Sequence, residues 1–156
     1  MKQLLLFVVL LTYAVGCGPS AEEKAAQLAE EARQARESAE RQAKVEAERQ
    51  AKADIQARYD QGVDAILADK FESFKAVTDS QTQADGPKIG LTWGGIRVMV
   101  GLGGLKKADF RIDDIQLNAD LTQATVNTSH RVNGEWKKDE KPQIWIVENG
   151  AWHWKL

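Results

Sequence analysis

Few residues in this chain have the chemistry for a site, and their spacing limits what they can do. His130 falls in a strand-like run in which Ala124, Val126, Thr128, His130 and Val132 share one face, with Thr125, Asn127, Ser129 and Arg131 on the wet one. An imidazole there is a candidate base or ligand contact, with Asp113 or Asp114 as its orienting carboxylate. The plainer reading, which the sequence favours, is a structural histidine facing Lys137 across a hairpin. Asp113-Asp114 is adjacent in a strand, where neighbours point to opposite faces, so it reads as a solvated bulge rather than an acid–base pair. Trp145, Trp152 and Trp154 form either a core or a wall for stacking a ligand. His153 is expected on the opposite, exposed face with Ile144 and Lys155. The single thiol, Cys17, rules out an intramolecular disulfide, and with only two histidines it makes a zinc site improbable.

Gly101-Leu102-Gly103-Gly104 lacks the remaining spacing and acidic partner of a dinucleotide fingerprint, and no lysine follows at phosphate-loop distance. No nucleophile–base signature appears. The sequence therefore assigns no catalytic residue, cofactor or metal ligand. Its pocket candidates are Thr128, His130, Trp145, Trp152 and Trp154.

What must position these residues is a chain of 156 residues, 43% hydrophobic and 28% charged, with a formal charge of −2 that argues against a nucleic-acid footprint. The averages hide three unlike segments. Residues 1–16 hold one charge, Lys2. Residues 18–58 hold eight bases, nine acids and no aromatic residue, whereas residues 59–156 hold nine of the eleven aromatics.

Met1-Lys2-Gln3 is a short positive stretch before an unbroken apolar run, Leu4 to Leu11, that fades by Val15. Spanning a bilayer takes about 20 apolar residues, so residues 1–16 read as a cleaved export signal. Ala14-Val15-Gly16-Cys17 resembles the lipobox of bacterial lipoproteins. The resemblance implies cleavage before Cys17 and acylation of that residue, its thiolate forming the thioether. An ordinary signal-peptidase site is the alternative, since Ala14 and Gly16 satisfy its small-residue rule. Acyl chains on Cys17 would hold the protein to a membrane, and the resemblance to lipoprotein sorting signals implies, from Gly18 rather than aspartate after the cysteine, the outer membrane, facing the periplasm.

Residues 17–20 then form a linker, and Ser20 with Glu23 has the spacing of a capping box. From Ala21 to Arg58 there is neither glycine nor proline, and strong helix formers dominate. The spacing predicts a helical stalk over 21–58, with acid-before-base pairs such as Glu37–Arg41 and Glu48–Lys52 along it. Ala25, Leu28, Ala32, Ala35 and Ala39 start a heptad, but the later step of four drifts about 40° each time around the helix. The stalk is read as a solitary helix, with a weak coiled-coil oligomer as the alternative.

The pattern changes at Tyr59. Tyr59, Val63, Ile66, Leu67, Phe71, Phe74 and Val77 describe one apolar helix face, expected to end near Thr78. Residues 88–105 read two ways: Ile89, Leu91 and Trp93, then Ile96, Val98, Val100 and Leu102, alternate like a hairpin, while Ile96, Met99, Val100 and Gly103 fit a helix. Strands follow, with hairpin turns at Asn133-Gly134 and Asn149-Gly150. The second turn sets Val147 opposite Trp152 and Trp145 opposite Trp154.

Helix, then ambiguous segment, then antiparallel meander is an α+β order: a long N-terminal helical stalk followed by a small domain with a helix packed on a curved antiparallel sheet. Residues 59–156 resemble the nuclear transport factor 2-like superfamily, a cystatin-like roll. The likeness rests on the leading helix, the strand order and the closing Trp145-Ile146-Val147-Glu148-Asn149-Gly150-Ala151-Trp152-His153-Trp154. It implies short helices over 92–104 and a conical pocket. The catalytic set of that family's ketosteroid isomerases is absent: the only tyrosine outside the signal is Tyr59, far along the chain from any strand.

The expected protein is a lipid-anchored envelope component presenting a non-catalytic domain that binds a small ligand or an envelope protein. The alternatives are an enzyme using the pocket, with His130 as base, and a purely structural spacer.

Overall fold

The computed structural model describes residues 20–156. Cys17, the signal and the lipobox-like residues lie outside the described residues. The chain divides into two compact units after Val45, and the helix α1, Ala21–Leu67, contributes to both. Its first turn closes as a capping box: Glu23 N–H donates to Ser20 Oγ at 3.1 Å, and Ser20 N–H donates to the Glu23 carboxylate at 2.7 Å.

In the first unit the described residues are all helical after Ser20 and all exposed. Ion pairs there run between Arg33 and both Glu30 (2.8 Å) and Glu37 (3.8 Å), so the side chains choose partners other than those the acid-before-base count favours. Every group in these pairs is well exposed, so water screens them and they add little to stability.

In the second unit α1 becomes a packing element. Ala51 and Ile55 are buried along with Tyr59 and Val63, so the helix meets the core two turns before the change of pattern at Tyr59. The helix then stops at Leu67, short of the expected Thr78. Asp69 takes a left-handed backbone (φ 56°). Lys70 N–H bonds Ala65 O at 2.9 Å and Asp69 N–H reaches Ile66 O at 3.3 Å. That is a Schellman closure with aspartate where glycine is commoner. The apolar spacing continues past the break, so the periodicity alone hid it. Phe74 is carried instead by α2, Phe71–Lys75.

A short α3, Ser80–Ala84, is capped by the buried Asp79, whose carboxylate accepts from Thr82 N–H at 3.0 Å. The ambiguous stretch is helical: α4 spans Gly86–Gly103. Asp85 caps it, Pro87 opens it, and Gly104 ends it at φ 58°. Ile89 and Val100 face the core while Leu91, Val98 and Leu102 are exposed. A hairpin would have put Leu91 on the side of Ile89, which the helix does not do. The capping signals at both ends outweighed the alternation between them.

After a 3₁₀ turn at Lys107–Asp109 come β1 (Phe110–Leu117), β2 (Gln123–Val132), β3 (Glu135–Lys138), β4 (Gln143–Glu148) and β5 (Ala151–Lys155). They form one antiparallel sheet ordered β1-β2-β4-β5, with β3 also paired to β2. β3 takes Ser129–Val132 of β2 and β4 takes Gln123–Val126, so the two share one edge end to end. The expected bulge is present: Ile112 pairs with Thr128 and Asp114 with Asn127, leaving Asp113 extra. Both Asn-Gly turns have two positive φ values, the type I′ requirement. Val147 faces Trp152 and Trp145 faces Trp154.

The core is where α1 meets this sheet. Ile55, Tyr59 and Val63 pack with Ala124, Val126, Trp145 and Trp152. A second cluster joins Ile66, Phe74, Val77, Ile89 and Val100, with Trp93 and Trp154 against it. Phe74 centres the aromatic contacts, 5.2 Å from the Trp93 ring and 6.0 Å from the Trp154 ring. Burying each large apolar side chain contributes about 1.5–3 kcal/mol, and β5 is fastened further by Trp154 N–H to Val77 O at 2.8 Å.

Candidate functional site

Between the two clusters lies a cavity of about 240 Å³. Helix α1 supplies Tyr59, Gly62, Val63 and Ile66, α2 supplies Phe74, and α4 supplies Ile96 and Met99. The sheet supplies Phe110, His130, Gln143, Trp145 and Trp154, and the β3–β4 connection supplies Asp139 and Lys141. The walls are largely apolar, with the polar groups coming from Tyr59 and from residues 130–143.

A hydrogen-bonded chain organises those polar groups. His130 Nδ1 is 2.7 Å from the Asp139 carboxylate. A carboxylate only accepts, so Nδ1 carries the proton and Nε2 keeps a lone pair in the neutral ring. The other Asp139 oxygen accepts a short bond from the hydroxyl of Thr128, and Asp139 N–H bonds Thr128 O at 3.0 Å. Gln143 leans on Thr128 Oγ1 at 3.5 Å and accepts from Trp145 Nε1–H at 3.1 Å. The loop after β3 is thus pinned to β2 by backbone and side chain together, which fixes the imidazole.

Tyr59 is the other polar element. It is 9% exposed. Among the described residues no fully buried polar side-chain atom lacks a partner. The Tyr59 hydroxyl bonds no described protein group, and the residue lines the cavity. Burial, reinforced by the carboxylates of Asp139, Asp60 and Asp113, pushes its pKa well above the ordinary phenol value, so it stays protonated and able to donate.

The sequence candidates separate under this geometry. His130, Trp145 and Trp154 line the cavity. Thr128, 1% exposed, sits behind it as the support of Asp139, and Trp152, 5% exposed, belongs to the core. The register does place His130 opposite Lys137, yet the ring's partner is Asp139.

Neither Asp113 nor Asp114 orients it: Asp113 is bonded by Ser129 and paired with Arg111 at 2.8 Å, on the other face of the strands. That bond also buries Ser129, expected to be wet. His153 is half-buried, with Nδ1 3.1 Å from Thr78 O, where an exposed ring was expected.

Sequence reasoning missed Asp139, Lys141 and Gln143, which sit in an unpatterned polar run, and set Tyr59 aside. A break in the helix and a sheet folded back on it bring Tyr59 to residues 71 and 80 positions away. Among the described residues no group of three His, Cys, Asp or Glu side chains gathers to hold a metal ion, and no helix is long and apolar enough to cross a membrane. No family model, curated protein or solved structure matches the chain.

Proposed function

We propose that this is a lipid-anchored envelope protein whose C-terminal domain, a cystatin-like roll of the nuclear transport factor 2-like superfamily, binds a small ligand without transforming it. One observation carries the binding: an apolar cavity of about 240 Å³ lined by a fixed imidazole and by a phenol whose hydroxyl bonds no described protein group. Pockets of this make-up, apolar with a few convergent polar groups, are the usual form of small-molecule sites. The open cavity favours this reading over a purely structural spacer, whose aromatic residues would fill it.

The address rests on the sequence: the short export signal, the Ala14-Val15-Gly16-Cys17 stretch and the solvated helix after it. The roll assignment is supported by the long helix, the helical segment before the strands and the closing hairpin. The placement is the outer membrane, facing the periplasm, through acyl chains on Cys17. Catalysis is the second reading, favoured by one feature: Asp139 on Nδ1 leaves Nε2 of His130 as a base.

Mass spectrometry of the protein purified from a Gram-negative host tests both halves at once. The expected result is an acylated Cys17, lost in Cys17→Ser, together with a co-purified small molecule released unchanged on denaturation. An unacylated cysteine would refute the anchor, and an empty protein that no small molecule stabilises would refute the binding.

A further inference from the structure

The polar end of the cavity specifies more than that something binds. We propose that it selects a neutral, mostly apolar small molecule bearing a hydroxyl group, which accepts a hydrogen bond from the Tyr59 phenol and donates one to Nε2 of His130. This rests on the ligand-binding reading above and adds the chemical class.

The inference comes from counting donors and acceptors. The Tyr59 hydroxyl is a donor held in a 9% exposed side chain with no described protein acceptor. His130 Nδ1–H donates to the Asp139 carboxylate at 2.7 Å, so in the neutral ring its second nitrogen is an acceptor. A hydroxyl is the simplest single group that can accept from the one and donate to the other. A ketone accepts from Tyr59 but leaves Nε2 unmet, which in a desolvated site costs affinity. A carboxylate is likewise acceptor-only.

Charge separates these classes further. The charged side chains lining the cavity are Asp139 and Lys141, one of each sign, so no net charge is available to hold an anion. Burial, with the carboxylate of Asp139 beside it, keeps the phenol protonated, and that carboxylate would also repel a second negative charge. The remaining wall, including Ile66, Phe74, Met99 and Trp154, suits a hydrocarbon body.

The test is titration of the chain beginning at Cys17, carrying Cys17→Ser, with 4-methylcyclohexanol, 4-methylcyclohexanone and 4-methylcyclohexanecarboxylate. These share one carbon frame and differ only in the polar group. Binding is followed by calorimetry and by tryptophan fluorescence, since Trp145 and Trp154 line the site. The alcohol should bind at least tenfold more tightly than the other two. Tyr59→Phe, which removes one oxygen, should weaken it about tenfold, as should His130→Phe where circular dichroism shows the fold intact.

Equal or tighter binding of the ketone or carboxylate would overturn the hydroxyl assignment and leave ligand binding standing, as would an alcohol affinity indifferent to Tyr59→Phe. If none of the three binds, the co-purified molecule decides: a neutral hydroxyl compound supports the assignment and any other compound overturns it. No bound molecule in either experiment would end both readings.

Discussion

Replacing Thr128 with valine isolates the interaction that fixes the imidazole. Thr128 is 1% exposed, and its hydroxyl donates to the Asp139 carboxylate. A hydrogen bond to a charged group contributes about 1.5–3 kcal/mol. Asp139 retains 32% of its side-chain exposure, so water recovers part of the loss and the low end applies. The valine methyl, buried where the hydroxyl was, returns up to about 0.8 kcal/mol. The net destabilisation is about 1 kcal/mol, and with a urea slope of ~1.5 kcal/mol/M the midpoint should fall by roughly 0.7 M with the slope unchanged. Combining it with Asp139→Asn in a double-mutant cycle should give a coupling of about 1 kcal/mol. A Thr128→Val midpoint within about 0.2 M of the parent, or additive single effects, would refute the claim that Thr128 holds Asp139 in place.

Four further outcomes follow from the same geometry. Ile55→Ala should cost about 3 kcal/mol in thermal unfolding, because the side chain is fully buried although it precedes the apolar pattern at Tyr59; a cost under ~1 kcal/mol would refute its place in the core. Gly150→Ala should cost about 1–2 kcal/mol, since φ is 77° there and a β-carbon disfavours that region; an unchanged melting temperature would refute the turn. Leu102→Glu, at a position 87% exposed on α4, should shift stability by less than about 0.5 kcal/mol, whereas Val100→Glu should unfold the domain; similar effects at both would restore the hairpin. Tyr59 has a folded pKa raised above its ordinary 10.0, so its contribution is complete below pH 10 and is lost progressively as pH climbs from there toward the folded value; the urea midpoint should fall more between about pH 9 and 10.5 in the parent than in Tyr59→Phe, and equal falls would refute the burial of the phenol.

What the sequence made legible was local. The capping box at Ser20, the two Asn-Gly turns, the tryptophan pairing across the second turn and the bulge at Asp113 each depend on a few adjacent residues, and all are present. The helix break at Asp69 escaped because its signal is a backbone conformation in a residue that tolerates it, not a glycine or proline. Residues 86–103 escaped because alternation and helical spacing coexist in a glycine-rich apolar run, and the decision was made by Asp85, Pro87 and Gly104 at its ends. For the site, pattern found the strand face bearing His130 and the tryptophans. It did not find Asp139, whose role arises only when Asp139 N–H bonds Thr128 O and brings the carboxylate beside the ring.

Tyr59 shows why core and site could not be read apart. The residue packs in the cluster that joins α1 to the sheet, and it also lines the cavity that the same packing leaves. The seam that stabilises the domain and the surface proposed to meet a ligand are therefore one structure. A ligand filling the cavity would touch α1, α2, α4 and four strands at once, and none of these surfaces exists together in the unfolded chain. Binding must then raise stability by mass action, by about 2.7 kcal/mol at a hundred times the dissociation constant. The cavity persists only as long as the helix stays seated, and a molecule bound there would seat it more firmly.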